Sequence, residues 1–167
     1  MEKRETEIRR VREGDAGALL AFYNSLGPGS KRMFRPLGDE TILEECEKII
    51  ADNRAGIETK YDLVATEGGR VVGWAFLWEM DCGMPTFGLA VADSHRGQGL
   101  GSRLMDAVIE AGRAAGKSKV VLTVVQDNEK ARRMYERRGF VRTGETVGEH
   151  DGLPYYVMEA HIGAEDV

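Results

Sequence analysis

Apolar positions recur along the chain at two spacings, and each switch between them marks the end of an element. Residues Thr6 to Val11 alternate loosely and predict a first strand. Asp15 stands where a helix cap belongs, and Ala16, Leu19, Leu20 and Tyr23 follow at helical spacing to a stop near Asn24 to Leu26. The segment from Gly27 to Gly38 is rich in breakers yet carries Met33, Phe34 and Leu37, which predicts a loop with something to bury; loops of that length are often functional. Asp39 can cap a second helix, ending before Gly56, whose apolar face is Ile42, Leu43, Cys46, Ile49 and Ile50. Its other face, with Glu40, Glu44, Glu45, Glu47 and Lys48, is most simply solvated.

Two strands follow, Asp62 to Thr66 and Val71 to about Glu79, joined by the turn Glu67-Gly68-Gly69-Arg70. A break at Asp81-Cys82-Gly83 leads to a third, Thr86 to Val91, completing a meander. Leu100, Leu104, Met105, Val108 and Ile109 then recur at helical spacing, with Gly116 as the stop. The β-branched run Val120 to Val125 reads as a strand buried on both faces, parallel to the strand ending at Val91 through a right-handed crossover. Asp127 or Asn128 caps a short helix on which Ala131, Met134 and Tyr135 share a face; Gly139 ends it and Phe140 folds back onto its last turn. Val141 to Val147 and Pro154 to Ile162 close the chain as a hairpin around His150-Asp151-Gly152. The expected fold is a single α/β (α+β) domain over residues 1–167, a mixed, mostly antiparallel sheet of six or seven strands with a central parallel pair, flanked by four helices.

Composition narrows the function classes. With 167 residues, 42% hydrophobic and 31% charged, the chain suits one domain with one core. A formal net charge of -5 argues against non-specific nucleic-acid binding, which needs a basic field. Cys46 and Cys82 are too few for a disulfide framework, and each is expected as a small buried hydrophobe. With neither a signal peptide nor a long apolar run, the expected setting is cytoplasmic, without a membrane partner. No metal is expected.

The chemistry gathers where the third meander strand feeds the long helix. Leu89, Ala90 and Val91 run through Arg96 into Gly97-Gln98-Gly99-Leu100-Gly101-Ser102. Glycines at 97, 99 and 101 remove side chains that would keep a ligand from the backbone N–H groups, and a helix N-terminus leaves several of these unsatisfied under a positive partial charge. Such a turn suits a phosphate or pyrophosphate, with Arg96 adding a full charge. A bare glycine-rich surface turn is the plain alternative. A Rossmann loop fits poorly: position 102 is Ser, no strand-end acid stands about twenty residues on, and the turn follows a meander.

Arg96-x-x-Gly99-x-Gly101 between strand and helix, followed by Asn128-x-x-Ala131-x-x-x-Tyr135-x-x-x-Gly139-Phe140 after the next strand, resembles the GNAT superfamily of N-acetyltransferases, over roughly residues 6 to 162. The resemblance implies acetyl-CoA as co-substrate, its pyrophosphate on the N–H groups of about Gln98 to Ser102 and its pantetheine arm along Leu89 to Val91 of a strand splayed from its parallel neighbour. It implies that Asn128 holds the cofactor or the strand-to-helix turn, and that Tyr135 hydrogen-bonds to the thioester sulfur and protonates it as it leaves. A phenol near pKa ~10 keeps its proton for that task. A backbone N–H near Ala90 or Val91 would stabilise the developing oxyanion.

No carboxylate occurs in Pro85-Thr86-Phe87-Gly88, where many relatives place a general base. Glu79 and Asp81 are the nearby candidates, with Thr86 able to hold a water; solvated turn charges are the alternative for both. His95 reads as a loop-packing residue, His150 as a surface turn and His161 as a strand residue. The acceptor, a primary amine on a small molecule or a peptide N-terminus, would lie between the first helix, the loop from Gly27 to Gly38 and the last hairpin, with Phe22, Tyr23, Phe34, Tyr155 and Tyr156 as candidate lining. Neither cysteine falls in the central motifs, so direct attack in a ternary complex is expected over a covalent route. A non-catalytic acyl-CoA sensor on the same fold is the alternative, and a homodimer through the closing strands or a sheet edge is plausible.

Overall fold

In the computed structural model, which describes residues 5–38, 40–54 and 59–163, the alternating segments meet in one seven-stranded sheet. The elements run β1 (Glu7–Arg10), α1 (Ala16–Ser25), α2 (Pro28–Met33), α3 (Leu43–Arg54), β2 (Lys60–Glu67), β3 (Arg70–Trp78) and β4 (Thr86–Val91). After one 3-10 turn at Asp93–His95 come α4 (Leu100–Ala114), β5 (Lys119–Val125), α5 (Glu129–Glu136), β6 (Val141–Val147) and β7 (Pro154–His161). Strand order is β1-β2-β3-β4-β5-β7-β6. Every neighbouring pair is antiparallel except β4 and β5, so the central parallel pair is present.

The described residues hold five α-helices where four were expected, the addition being α2 inside the segment read as a loop. Gly27 precedes it in extended backbone and Pro28 supplies a preset φ at its first turn, a pairing that starts a helix even among breakers. Asp39 and Gly56, the expected bounds of the next helix, lie outside the described residues. That helix starts at Leu43, so Ile42 precedes it and is 59% exposed instead of joining the apolar face.

Side-chain alternation along β3 feeds two cores at once. Trp74 and Phe76 face α1 and α3 with Leu19, Phe22, Tyr23 and Ile49, whereas Ala75 and Leu77 face α4 with Leu104, Met105 and Val108. Both predicted helix stops have the left-handed glycine geometry. Gly116 has φ 81° with Lys117 N–H donating to Gly112 O at 3.0 Å; Gly139 has φ 86° with Phe140 N–H donating to Tyr135 O at 3.1 Å and its ring buried. Asp15 occupies the cap position of α1 without capping it: its carboxylate accepts from Arg9 at 2.8 and 2.9 Å and from Arg12 N–H at 2.8 Å.

Two expectations about burial fail for local reasons. Cys46 is buried, and burial pushes its thiol up to about 11, but Cys82 is exposed in the turn after β3. In β5, Val121 is half-buried and Thr123 exposed, because they lie on the face away from α4, where the core built on α1 and α3 takes in no residue of β5. No described helix is long and apolar enough to cross a membrane.

Candidate active site

The parallel pair joins at one position only. Thr86 registers with Val121, and Val121 N–H donates to Pro85 O at 3.0 Å; no further ladder pairing links β4 to β5. On the other side β4 is fully paired with β3 from Thr86 to Val91. Ala92 N–H donates to Val72 O at 2.8 Å, which sets the alternation: even-numbered residues of β4 turn their polar backbone groups to β3 and odd-numbered ones toward β5. Phe87 N–H belongs to that one bridge, so Leu89 and Val91 are the residues that present backbone N–H and C=O groups to the opening, groups that need a partner when covered. Ala90, grouped with them on sequence, spends its backbone on β3 and buries its side chain.

The opening leads to the N-terminus of α4. Gly97 and Gly99 have φ of 75° and 79°, a region that disfavours any side chain, and Gly99 is the N-cap with no side-chain cap bond. The first intrahelical donor is Arg103 N–H, to Gly99 O at 3.2 Å, so the N–H groups of Leu100, Gly101 and Ser102 remain for a ligand. Arg96 is nearby but engaged: it donates to Ser30 Oγ and lies 3.5 Å from Asp93 Oδ1. The Ser30 hydroxyl, the Gly27 N–H at 3.2 Å and Arg96 hold Asp93 below the usual carboxylate range. His95 packs the loop, with Nε2 2.8 Å from Glu67 Oε2 and Nδ1 2.7 Å from Ser94 Oγ.

Helix α2 spans the ends of the diverging strands. Ser30 meets Asp93, just beyond β4, while Arg32 forks onto Asp127, just beyond β5, at 2.9 and 2.8 Å. Beneath it lies a cavity of about 380 Å³ that receives Leu89 from β4, Leu122 and Thr123 from β5, and Tyr135 from α5. Tyr135 stands edge-on to Phe87, ring centroids 6.0 Å apart at 81°, and against Phe140 at 6.0 Å. It keeps some surface toward the cavity, yet its enclosure pushes the phenol up to about 12. Asn128 does not reach this cavity; its side chain caps α5, accepting from Ala131 N–H at 3.3 Å.

Thr86 lines the cavity floor and donates from Oγ1 to Glu79 Oε2 at 3.3 Å, which places Glu79 one hydroxyl behind the wall. Glu79 is the sole described non-glycine residue with positive φ, 58°. Asp81 and His150 are exposed turn residues outside the lining.

Of the aromatic residues expected around the acceptor, Phe34 and Tyr155 line the cavity, whereas Phe22 and Tyr23 are core and Tyr156 stacks under Arg132 and Arg142. The larger wall comes from Phe76 and Trp78, stacked at 4.0 Å and 20°. Behind them is a carboxylate that sequence reading passed over. Asp62 is fully buried and accepts from Trp74 Nε1 at 2.7 Å, from Trp78 Nε1 at 3.1 Å and from Asn53 Nδ2 at 2.9 Å. Burial, offset only in part by these bonds and by Lys60, pushes its pKa up to about 6. The available signal was an Asp two residues into a strand facing alternating tryptophans across the meander, at Asp62 opposite Phe76.

Residues 30–140 match the Acetyltransferase (GNAT) family, and the chain belongs to that family. It is 27% identical over 144 residues, 83% of this chain and 81% of the relative, to L-amino acid N-acyltransferase MnaT of Escherichia coli (strain K12). An acetyltransferase of the GNAT family from Streptococcus pneumoniae superimposes with a TM-score of 0.78 at 25% identity, covering 95% of this chain and 100% of that one. The Brucella melitensis ribosomal-protein-alanine N-acetyltransferase does so with a TM-score of 0.77 at 26% identity, covering 93% and 99%. Two local matches to other curated relatives span 27% and 36% of those proteins' lengths.

Proposed function

We propose that this chain transfers acetyl from acetyl-CoA to the primary amine of an acceptor, a small molecule or a peptide N-terminus, by direct attack in a ternary complex. The observation that carries the reading is the one-residue register between β4 and β5, which leaves backbone groups of β4 without strand partners beside the cavity that holds Tyr135. Leu100, Gly101 and Ser102 N–H groups suit a pyrophosphate, and the amide-rich arm of the co-substrate matches the odd-numbered groups of β4 as an added strand would. Acetyl-CoA supplies an acyl thioester open to attack by an amine.

The N–H of Leu89 or Val91 would stabilise charge developing on the carbonyl oxygen, a contribution on the order of 3 kcal/mol for a fixed donor. Tyr135 serves the departing sulfur. A phenol raised to about 12 stays protonated throughout the working range, and full transfer of its proton to a thiolate near pKa ~8.5 is uphill by roughly 5 kcal/mol. Its first role is therefore to donate a hydrogen bond to the sulfur, the proton crossing as the amine gives up its own. Thr86 Oγ1, already donating to Glu79, offers the amine proton a route off the wall to that carboxylate.

A second reading, an acyl-CoA sensor without catalysis, is favoured by one observation: no described residue lining the cavity is a carboxylate. Acetyl-CoA-dependent release of free thiol across a panel of amines, with acetyl-CoA binding measured in parallel, separates the two. Release with one amine class supports the transferase; binding with no release from any amine supports the sensor; no binding removes both.

A further inference from the structure

Helix α5 and the strand after it carry cations that play no part in lining the cavity. Residues 130–142 hold six Lys and Arg against one Glu, in a chain whose net charge is -5. Two of the six are paired, Arg133 with Glu129 at 2.6 Å and Arg138 with Asp106 of α4 at 2.7 Å. Lys130, Arg132, Arg137 and Arg142 have no carboxylate within ion-pair distance among the described residues. We infer that Arg132 from α5 and Arg142 from β6, stacked on the Tyr156 ring of β7, form an anion site for a phosphate group, separate from the pyrophosphate turn before α4.

The guanidinium carbons of Arg142 and Arg132 lie 4.0 and 5.3 Å from the Tyr156 ring centroid. A stacked guanidinium spends its face on the ring and keeps the N–H donors along its edge. Arg132 Nε is buried without an acceptor, so the ring and not an acid sets where this group stands. Glu145 stands opposite Tyr156 in the β6–β7 register, but its carboxylate accepts from Gln126 Nε2 at 3.1 Å and makes no ion pair with either guanidinium. Two donor edges from different elements suit a tetrahedral anion, whose oxygens point several ways, whereas a carboxylate is satisfied by one fork. Charge elsewhere favours a compact ligand: Glu44, Glu45 and Glu47 are exposed on α3, and a long polyanion is repelled by an acidic surface of this kind. Strand β5 lies between β7 and β4, whose end feeds the pyrophosphate turn, so the two anion sites fall on different strands of the sheet.

The test titrates inorganic phosphate into the full chain, with and without saturating CoA, at an ionic strength held constant with chloride, and follows the arginine Nε–Hε signals by NMR. Signals lost in Arg132→Gln and in Arg142→Gln identify the two groups. The expected result is saturable movement of both signals at millimolar phosphate, whether or not CoA is bound. In either Gln variant the midpoint, read on the remaining signal, should rise roughly tenfold or more, and Arg142→Lys, which keeps the charge and loses the fork, should be weakened nearly as much. Tyr156→Leu keeps both charges and should raise the midpoint several-fold by removing the platform. Shifts that never saturate, or that chloride alone reproduces, mean an adventitious ion only and overturn the inference. A midpoint unmoved by both Gln variants does the same. Binding abolished by saturating CoA would make the two arginines part of the co-substrate's own site and overturn a separate one. None of these readouts needs turnover or an acceptor amine, so their failure is distinct from failure of the transferase reading.

Discussion

On the side of α4, the candidate site is made of backbone: the N–H groups of Leu100 to Ser102 and the odd-numbered groups of β4, left open because β4 and β5 register at one residue pair. Across the cavity it is made of side chains drawn from distant parts of the chain, Arg35 and Phe34 before α3, Phe76 and Trp78 from β3, Tyr155 from β7. Backbone sites constrain residue type locally, through glycine and helix starts. Side-chain sites depend on which face of an element the fold turns inward. The first kind suits a ligand common to many relatives and the second an acceptor peculiar to one.

The largest expected effect falls where the two regions meet. Tyr135→Phe should lower kcat by roughly a hundredfold or more while acetyl-CoA affinity changes little, since the hydroxyl alone is removed from a ring packed on Phe87 and Phe140. Single-turnover kinetics with a working amine checks this, and an unchanged chemical step would leave Tyr135 as cavity wall only. On the backbone side, Gly99→Val forces a β-branched residue to φ 79° at the start of α4. Acetyl-CoA affinity should drop roughly a hundredfold, as the fanned N–H groups are misaligned. Calorimetry showing wild-type affinity in a folded variant would move the anion site elsewhere and break the comparison at its better-defined half.

What could be read in advance follows the same division. Gly97, Gly99 and Gly101 before a helical period, and Gly139-Phe140 after one, were legible because each reports a conformation of its own few residues. The meander, the parallel β5 and the closing hairpin were legible from period alone. The splay was expected only through family resemblance, and the uncovered face of β5, with Thr123 exposed in a run of β-branched residues, was missed. Helix α2 hid among breakers although Gly27-Pro28 marks its start. The aromatic wall was visible as alternation in Trp74, Phe76 and Trp78, but nothing local told which face of β3 would border the cavity. Asp62 was read as a strand residue because burial of a carboxylate among two indoles and an amide is a property of three elements together.

That buried carboxylate sharpens the side-chain half of the comparison. An acid whose folded pKa is raised to about 6 holds its proton more tightly in the folded chain than in the unfolded one. Stability therefore falls as pH rises from about 4 to about 6, at about 1.4 kcal/mol per unit, on the order of 3 kcal/mol in total. Asp62→Asn should remove this component. Chemical denaturation at several pH values should give a wild-type-minus-variant difference that slopes downward through that window and is level above it. A flat difference would mean that Asp62 is ionised in the folded chain from low pH, with the indoles and Lys60 compensating its burial.

The smallest effect concerns Asn128, which the family pattern assigns to either the cofactor or the turn. Its side chain accepts from Ala131 N–H at 3.3 Å and lies outside the cavity lining. Asn128→Ala should cost about 1 kcal/mol of stability, the ordinary value of an N-cap, and Asn128→Ser should restore most of it, because a hydroxyl accepts from the same N–H. Serine lacks the amide donor, so acetyl-CoA affinity in Asn128→Ser discriminates between the two roles. Affinity within about twofold of wild type would follow from a residue that only starts α5 in the right direction for Tyr135. Restored stability with affinity still reduced would make the amide a ligand-binding group, the one side chain on a side of the site otherwise built from backbone.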